Sequence, residues 1–225
     1  LNEWLDPRLM RTNAYDSPSD EEQERPEFWR FWRTMPAQGT IGIYVGSWYS
    51  EPIAKRVYGK TNDAELQVKL THINQLEQEL ADDGTLIIKC WLHLKKEQQK
   101  KRLKQLEKNP ETAWQVTERD KTHLKMYDDF VAVAENVLTE TSTATNPWLI
   151  VEGSDIRYSS LTVGQHILDK ITAHIEHLQL KETRSAASHS PQVIHGNQPS
   201  ILDSLDLSLK LDKKDYNEQL NYYQG

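Results

Sequence analysis

Thr40-Ile41-Gly42-Ile43-Tyr44-Val45 runs apolar for the length of a strand and stops at Gly46-Ser47-Trp48-Tyr49. An unbroken apolar run, rather than an alternating one, suits a strand covered on both faces. Thr85–Leu92 and Trp148–Val151 repeat the pattern. Between them, Asn62 with Glu65 makes a capping box, and Leu66, Leu70, Ile73, Leu76 and Leu80 recur at helical spacing until Gly84 supplies a C′ residue. Thr117 with Asp120 caps a long helix running to about Glu140, and Leu161–Leu178 marks a last one. Upstream, Leu9–Tyr15 reads as a short strand, and Ser19 with Glu22 caps a helix whose body is Phe28–Arg33. Strands alternating with helices predict an α/β fold, a parallel sheet between helices, with ligands beyond the carboxyl ends of the strands. The runs at 41–45, 85–92 and 148–151 are expected to share one such sheet, with Gly46 and His93 at the same edge.

The composition agrees with a globular chain. Of 225 residues, 37% are hydrophobic and 27% charged, which excludes the low-hydrophobicity disordered class and collagen-like repeats. No apolar run is long enough for a membrane span or an export signal. The one cysteine, Cys90, has no internal partner, which fits a reducing compartment and a cytoplasmic location. Residues 1–178 are expected to form one domain. From Gln179 to Pro199 the composition turns to Ser, Ala, His, Gln and Pro without periodicity and reads as a linker, and residues 200–225 are too few for a domain of their own. Leu1-Asn2-Glu3-Trp4-Leu5 opens directly in a helix-like pattern, so the chain looks truncated in front.

Net charge is −7, which argues against broad nucleic-acid binding. Its distribution says more, because Lys95–Lys108 holds seven basic and two acidic residues. Charge runs are usually solvated faces. Here, however, Lys100, Lys101, Arg102 and Lys104 follow a strand end and precede a break at Asn109-Pro110, the layout of a phosphate-clamping lid. Ala54–Thr61 almost spells a phosphate-binding loop, yet Ala54 replaces the first glycine and no strand leads directly into it. Strands such as 41–45 end in a Mg²⁺-holding Asp in phosphoryl-transfer enzymes, whereas this one ends in Val45 and Gly46, neither of which ligates metal. His72, His93 and His123 have no spacing that suggests a metal site.

Four segments in register carry a resemblance. Glu24-Arg25-Pro26-Glu27-Phe28-Trp29-Arg30-Phe31-Trp32-Arg33, Ile41–Tyr49, Trp91–Gln99, and Thr141-Ser142-Thr143 running into Asn146-Pro147-Trp148 resemble the second family of polyphosphate kinases over about Leu1–Leu178. The resemblance implies a P-loop-kinase-like sheet with a helical lid. It also implies that Leu1–Arg8 ends the helix following the family's phosphate loop, so that the loop and its strand are missing from this chain. Catalysing members carry Asp-Arg before Ser-Trp-Tyr, Asp for Mg²⁺ and Arg for phosphate, where this chain has Val45 and Gly46; Glu51, Ala113 and Gln115 depart as well. The pattern is similar to the first half of the two-domain polyphosphate:AMP phosphotransferases, which implies that residues 200–225 are a connector toward a second domain absent here.

By that resemblance the whole protein moves phosphate from inorganic polyphosphate to AMP, giving ADP, with Mg²⁺ serving the parent enzyme and none expected on this fragment. Lys100, Lys101, Arg102, Lys104 and Arg119 would contact phosphates, and Arg30 and Arg33 would lie near the nucleotide. This domain would be catalytically degenerate, with its own second domain as partner, no nucleic acid, no membrane, and a possible homo-oligomer. The competing expectation is a non-catalytic domain that binds polyphosphate or supplies an interface, and a helical protein-interaction domain is the third.

Overall fold

The strand β1 (Met10–Ala14) lies parallel to β2 (Ile41–Val45), with Met10 opposite Ile41 and Ala14 opposite Val45. A second parallel pair joins β3 (Lys89–His93) to β4 (Trp148–Glu152), with Lys89 opposite Trp148. These come from a computed structural model that describes residues 5–187 and 212–215. Among the described residues no ladder links β2 to β3, so the single sheet expected from the apolar runs is two two-stranded sheets. Parallel pairing itself is as expected. The strand predicted at 85–92 begins only at Lys89. One residue earlier the register would set Ile88 against Pro147, which has no N–H to give a ladder.

Between β1 and β2 the single helix expected from Ser19 is two short ones. Ser19 and Glu22 do form the capping box of α1 (Asp20–Gln23). Pro26 then removes a donor and restricts the residue before it, and the chain re-enters helix as α2 (Trp29–Trp32) through Phe28 at φ 66°. The segment after β2, unassigned from sequence, is helix α3 (Ser50–Val57). The loop-like motif 54–61 is therefore the end of a helix and its exit turn. Asn62 and Glu65 cap α4 (Asp63–Asp82), which ends before Gly84 at φ 90°.

The basic segment is α5 (Lys96–Lys108). The long helix expected from Thr117 divides at Met126 into α6 (Glu118–Lys125) and α7 (Tyr127–Thr141). After β4, α8 (Ile156–Ala187) starts earlier than its apolar spacing suggests and continues through residues 179–187. Residues 1–180 make one compact unit, which contains both sheets. In the other unit, residues 181–225, the described part is the end of α8 and residues 212–215. The stretches 188–199 and 200–211 of the expected linker and connector, with 216–225, lie outside the described residues.

The core of the first unit gathers Tyr49, which precedes α3, with Ile53, Leu66, Leu70, Ile73 and Val137 from α3, α4 and α7, and Trp91, Phe130 and Trp148 pack against it. Into this apolar setting the chain places a buried ion pair. Lys89 Nζ donates to Glu77 Oε2 at 2.7 Å, with side chains 4% and 1% exposed. The same ammonium donates to the Thr141 carbonyl at 2.6 Å and to the Tyr49 hydroxyl at 3.2 Å, which uses all three of its N–H groups. Glu77 Oε1 accepts from the Tyr49 hydroxyl at 2.5 Å and from Trp48 Nε1 at 3.1 Å. Burial pushes the Lys89 pKa down against the pull of Glu77, and burial followed by the nearby Glu77 charge pushes that of Tyr49 far up. Trp48 and Tyr49 follow β2 while Lys89 opens β3, so this cluster joins the two sheets through side chains.

Candidate functional site

The carboxyl ends of β1 and β2 are locked together one residue beyond the strands, where Tyr15 N donates to the Val45 carbonyl at 2.8 Å. Gly46 follows at φ 70°, and a Cβ built there would stand 2.5 Å from the Tyr15 carbonyl oxygen. No residue with a side chain fits that position without moving backbone. Val45, the neighbour at the strand end, is exposed at 57%. Neither offers a side-chain oxygen ligand, and the described residues contain no group of three or more His, Cys, Asp or Glu able to hold a metal. The β2 end therefore does not fit a Mg²⁺ ion.

What does gather at this end is positive charge. The Arg30 guanidinium lies over the Tyr15 ring at 5.0 Å, with its side chain 14% exposed and Nη2 3.5 Å from Glu22 Oε2. Tyr15 is itself fixed by an edge contact with Phe31 at 4.7 Å, by stacking on Tyr44 at 5.9 Å, and by a hydroxyl bond to Thr34. From the first turn of α6, Arg119 Nη1 donates to Asp16 Oδ1 at 2.7 Å. Arg33, expected beside Arg30, is exposed, and its guanidinium stacks on Trp29 at 4.7 Å. The structure thus brings Arg30 and Arg119 toward Asp16, while the contact it gives Arg33 is with Trp29.

Lys100, Lys101, Arg102 and Lys104 are all exposed on α5, and none takes part in the ion pairs of the described residues. They do not share one face. At 3.6 residues per turn Lys100 and Lys104 fall about 40° apart, with Lys101 about 60° from Lys104 and Arg102 about 160° from it. The helix is tied to its neighbours at its ends, through Lys96 to Asp128 at 2.5 Å and Glu107 to Lys121 at 3.2 Å. Behind it, a cavity of about 460 Å³ opens among Leu92, His93, His123, Tyr127, Phe130 and Ile150. Burial, then the Arg119 charge, lowers the His123 pKa, and its Nε2 is buried without a partner. The Tyr127 hydroxyl donates to the Leu94 carbonyl at 2.8 Å, which pins the start of α7 to the end of β3.

The Glu77–Lys89 cluster was not anticipated, although the sequence carried a signal. Glu77 lies four residues after Ile73 and three before Leu80, on the buried stripe of α4, and Lys89 interrupts an apolar run. Opposite charges at two such positions point to a buried pair.

Parallel strands flanked by helices, with arginines from two distant segments lying beyond the strand ends, define an α/β protein of the class whose ligand sites lie at the carboxyl edge of the strands. More particularly, the chain belongs to the Polyphosphate kinase 2 family, whose model matches residues 1–179. It is 43% identical over 220 residues to a polyphosphate:AMP phosphotransferase of Pseudomonas syringae pv. tomato, covering 98% of this chain and 44% of that protein. A protein of the same name from Pseudomonas aeruginosa is 44% identical over 221 residues, again with 98% and 44% covered. The crystal structure of a putative polyphosphate kinase 2 from Pseudomonas aeruginosa PA01 superposes with a TM-score of 0.72 at 38% identity, over 99% of this chain and 41% of the other. The chain thus spans less than half the length of these relatives.

Proposed function

We propose that this chain is a polyphosphate-binding domain of a polyphosphate:AMP phosphotransferase, a kinase that moves phosphate from inorganic polyphosphate to AMP to give ADP. The observation that carries the reading is the convergence of Arg119 and Arg30 on the β1 end, beside a helix whose Lys100, Lys101 and Lys104 share an arc free of ion pairs. The names of the Pseudomonas relatives support the substrates. Chemistry of this type is positioning plus charge neutralisation around an in-line transfer, which cationic side chains supply in part. Val45 and Gly46 stand where a metal-holding carboxylate and a phosphate-binding arginine are expected, so the domain is catalytically impaired, by at least about 10²–10³ in rate. Mg²⁺ and catalysis belong to a second domain of the parent protein, reached through the linker and connector that follow the domain at 1–178, the first part of that linker, 179–187, being the helical end of α8. The unpaired edges of β2 and β3 suit a further strand between them, which would complete a P-loop-kinase-like sheet in a cytoplasmic enzyme.

The test measures ADP formation from AMP and polyphosphate by this chain beside the full-length Pseudomonas aeruginosa relative, together with titration of long-chain polyphosphate at low and moderate salt. The chain is expected to bind polyphosphate with steep salt dependence and to form no ADP above background. Replacing Lys100, Lys101, Arg102 and Lys104 by Ala should weaken binding and flatten the salt slope. Turnover within tenfold of the relative would refute impairment. Equal affinity of the folded fourfold variant would favour the second reading, an interface domain, for which the exposed apolar residues Leu161, Leu168 and Ile175 along α8 speak.

A further inference from the structure

We propose that Asp16 occupies an anion subsite built by Arg30 and Arg119, and that a phosphate of a polyphosphate chain displaces it; the inference rests on the reading that this domain binds polyphosphate. Asp16 and Arg119 are 103 residues apart in sequence, and their 2.7 Å bond ties the first turn of α6 to the loop leaving β1. Both side chains are largely in water, at 81% and 54% exposed, so the bond is cheap to exchange for another anion. Asp16 Oδ1 accepts from both Arg119 and the Ser17 N–H. The Arg119 hydrogen bond, the Ser17 N–H and the Arg119 charge, with a smaller pull from Arg30, hold the Asp16 carboxyl below the ordinary aspartate range.

Arg30 is held ready but unsatisfied. Its guanidinium lies 5.0 Å over the Tyr15 ring, its Nε is buried without a hydrogen-bond partner, and the acidic oxygen paired with it, Glu22 Oε2, lies 3.5 Å away while accepting from Ser19 N at 2.9 Å. A carboxylate at Asp16 reaches Arg119, and Arg30 acts on it through charge alone. A phosphate has more acceptor oxygens and more charge, so it can take hydrogen bonds from both guanidinium groups at once. Displacement exchanges the direct bond between α6 and the loop after β1 for a bridge through the anion.

The experiment titrates the full chain with inorganic tripolyphosphate, as wild type, Asp16→Asn, Arg119→Gln and the double variant, with a thermal melt of each. Asn keeps the acceptor for Ser17 and removes the competing charge. Asp16→Asn is expected to bind about two- to fivefold more tightly, the range that an exposed ion pair is worth. Arg119→Gln should bind more weakly, and adding Asp16→Asn to it should recover little, because the gain requires Arg119. A folded Asp16→Asn variant with unchanged or weaker affinity overturns the proposal. So does an equal gain in the Arg119→Gln background, which would mark a general charge effect. If wild type binds tripolyphosphate but Asp16→Asn does not tighten it, only the subsite falls; if neither protein binds it, the polyphosphate reading falls as well.

Discussion

Lys89–Glu77 and Arg119–Asp16 are ion pairs of the same length, 2.7 Å, in opposite surroundings. The first is dry, uses every donor of its ammonium, and joins α4, β3 and the end of α7. The second stands in water and joins the first turn of α6 to the loop after β1. Length is therefore a poor guide to what an ion pair does. A buried pair cannot lose one member without stranding a charge where nothing solvates it, whereas an exposed pair can be traded for water or for another anion at little cost. The molecule uses the first to fix its core and leaves the second available.

The largest effect expected from this contrast is at Glu77. Glu77→Ala should lower stability by about 3–5 kcal/mol, because it strands Lys89 and also leaves the Tyr49 hydroxyl and Trp48 Nε1 without their acceptor. Denaturant melts measure it, and a loss below about 1 kcal/mol would erase the distinction between the two pairs. Next comes Gly46, where backbone rather than charge is the constraint. Gly46→Ala should cost about 1–2 kcal/mol or more from the left-handed φ alone, with the Tyr15 contact in addition. Val45→Asp combined with Gly46→Arg should accordingly fail to generate kinase activity in this chain, as read by ADP formation.

A smaller effect sharpens the meaning of burial for a group that stays neutral. Burial is the main cause lowering the His123 pKa from 6.5, so the unfolded chain binds the proton more tightly. Stability is then unaffected above that value and falls as pH drops below 6.5 toward the lowered folded value. His123→Phe, which keeps a ring against Phe130, should remove that part of the slope in melts between pH 7 and 5. The smallest effect belongs to the exposed pair, for Asp16→Asn should leave the melting temperature essentially that of wild type even as it alters anion binding. A loss comparable to Glu77→Ala would mean that Arg119–Asp16 is structural.

Much of the frame was legible because it depends on local rules. The capping boxes at Ser19, Asn62 and Thr117 each start a helix where the spacing says they should, and 41–45 and 148–152 are strands. Which strands pair is not local, so two parallel pairs were indistinguishable from one sheet. The two broken helices differ in kind: Pro26 announces the first break, while the second, at Met126, coincides with a tertiary bond from Tyr127 to Leu94. At the site, Arg30 and Arg119 were singled out, but the bond from Arg119 to Asp16 spans 103 residues, which no sequence pattern encodes. The four basic residues of α5 were read as one set, and helical phase separates Arg102 from the other three.

The turn at Gly46 also limits what the end of β2 can present. With the chain left-handed there and the Tyr15 carbonyl occupying the space of a first side-chain carbon, any residue other than glycine requires the backbone to be re-laid first. A neighbouring strand's carbonyl oxygen, rather than any ligand, thus sets the vocabulary of this position, and chemistry can reach that edge only from side chains on other segments.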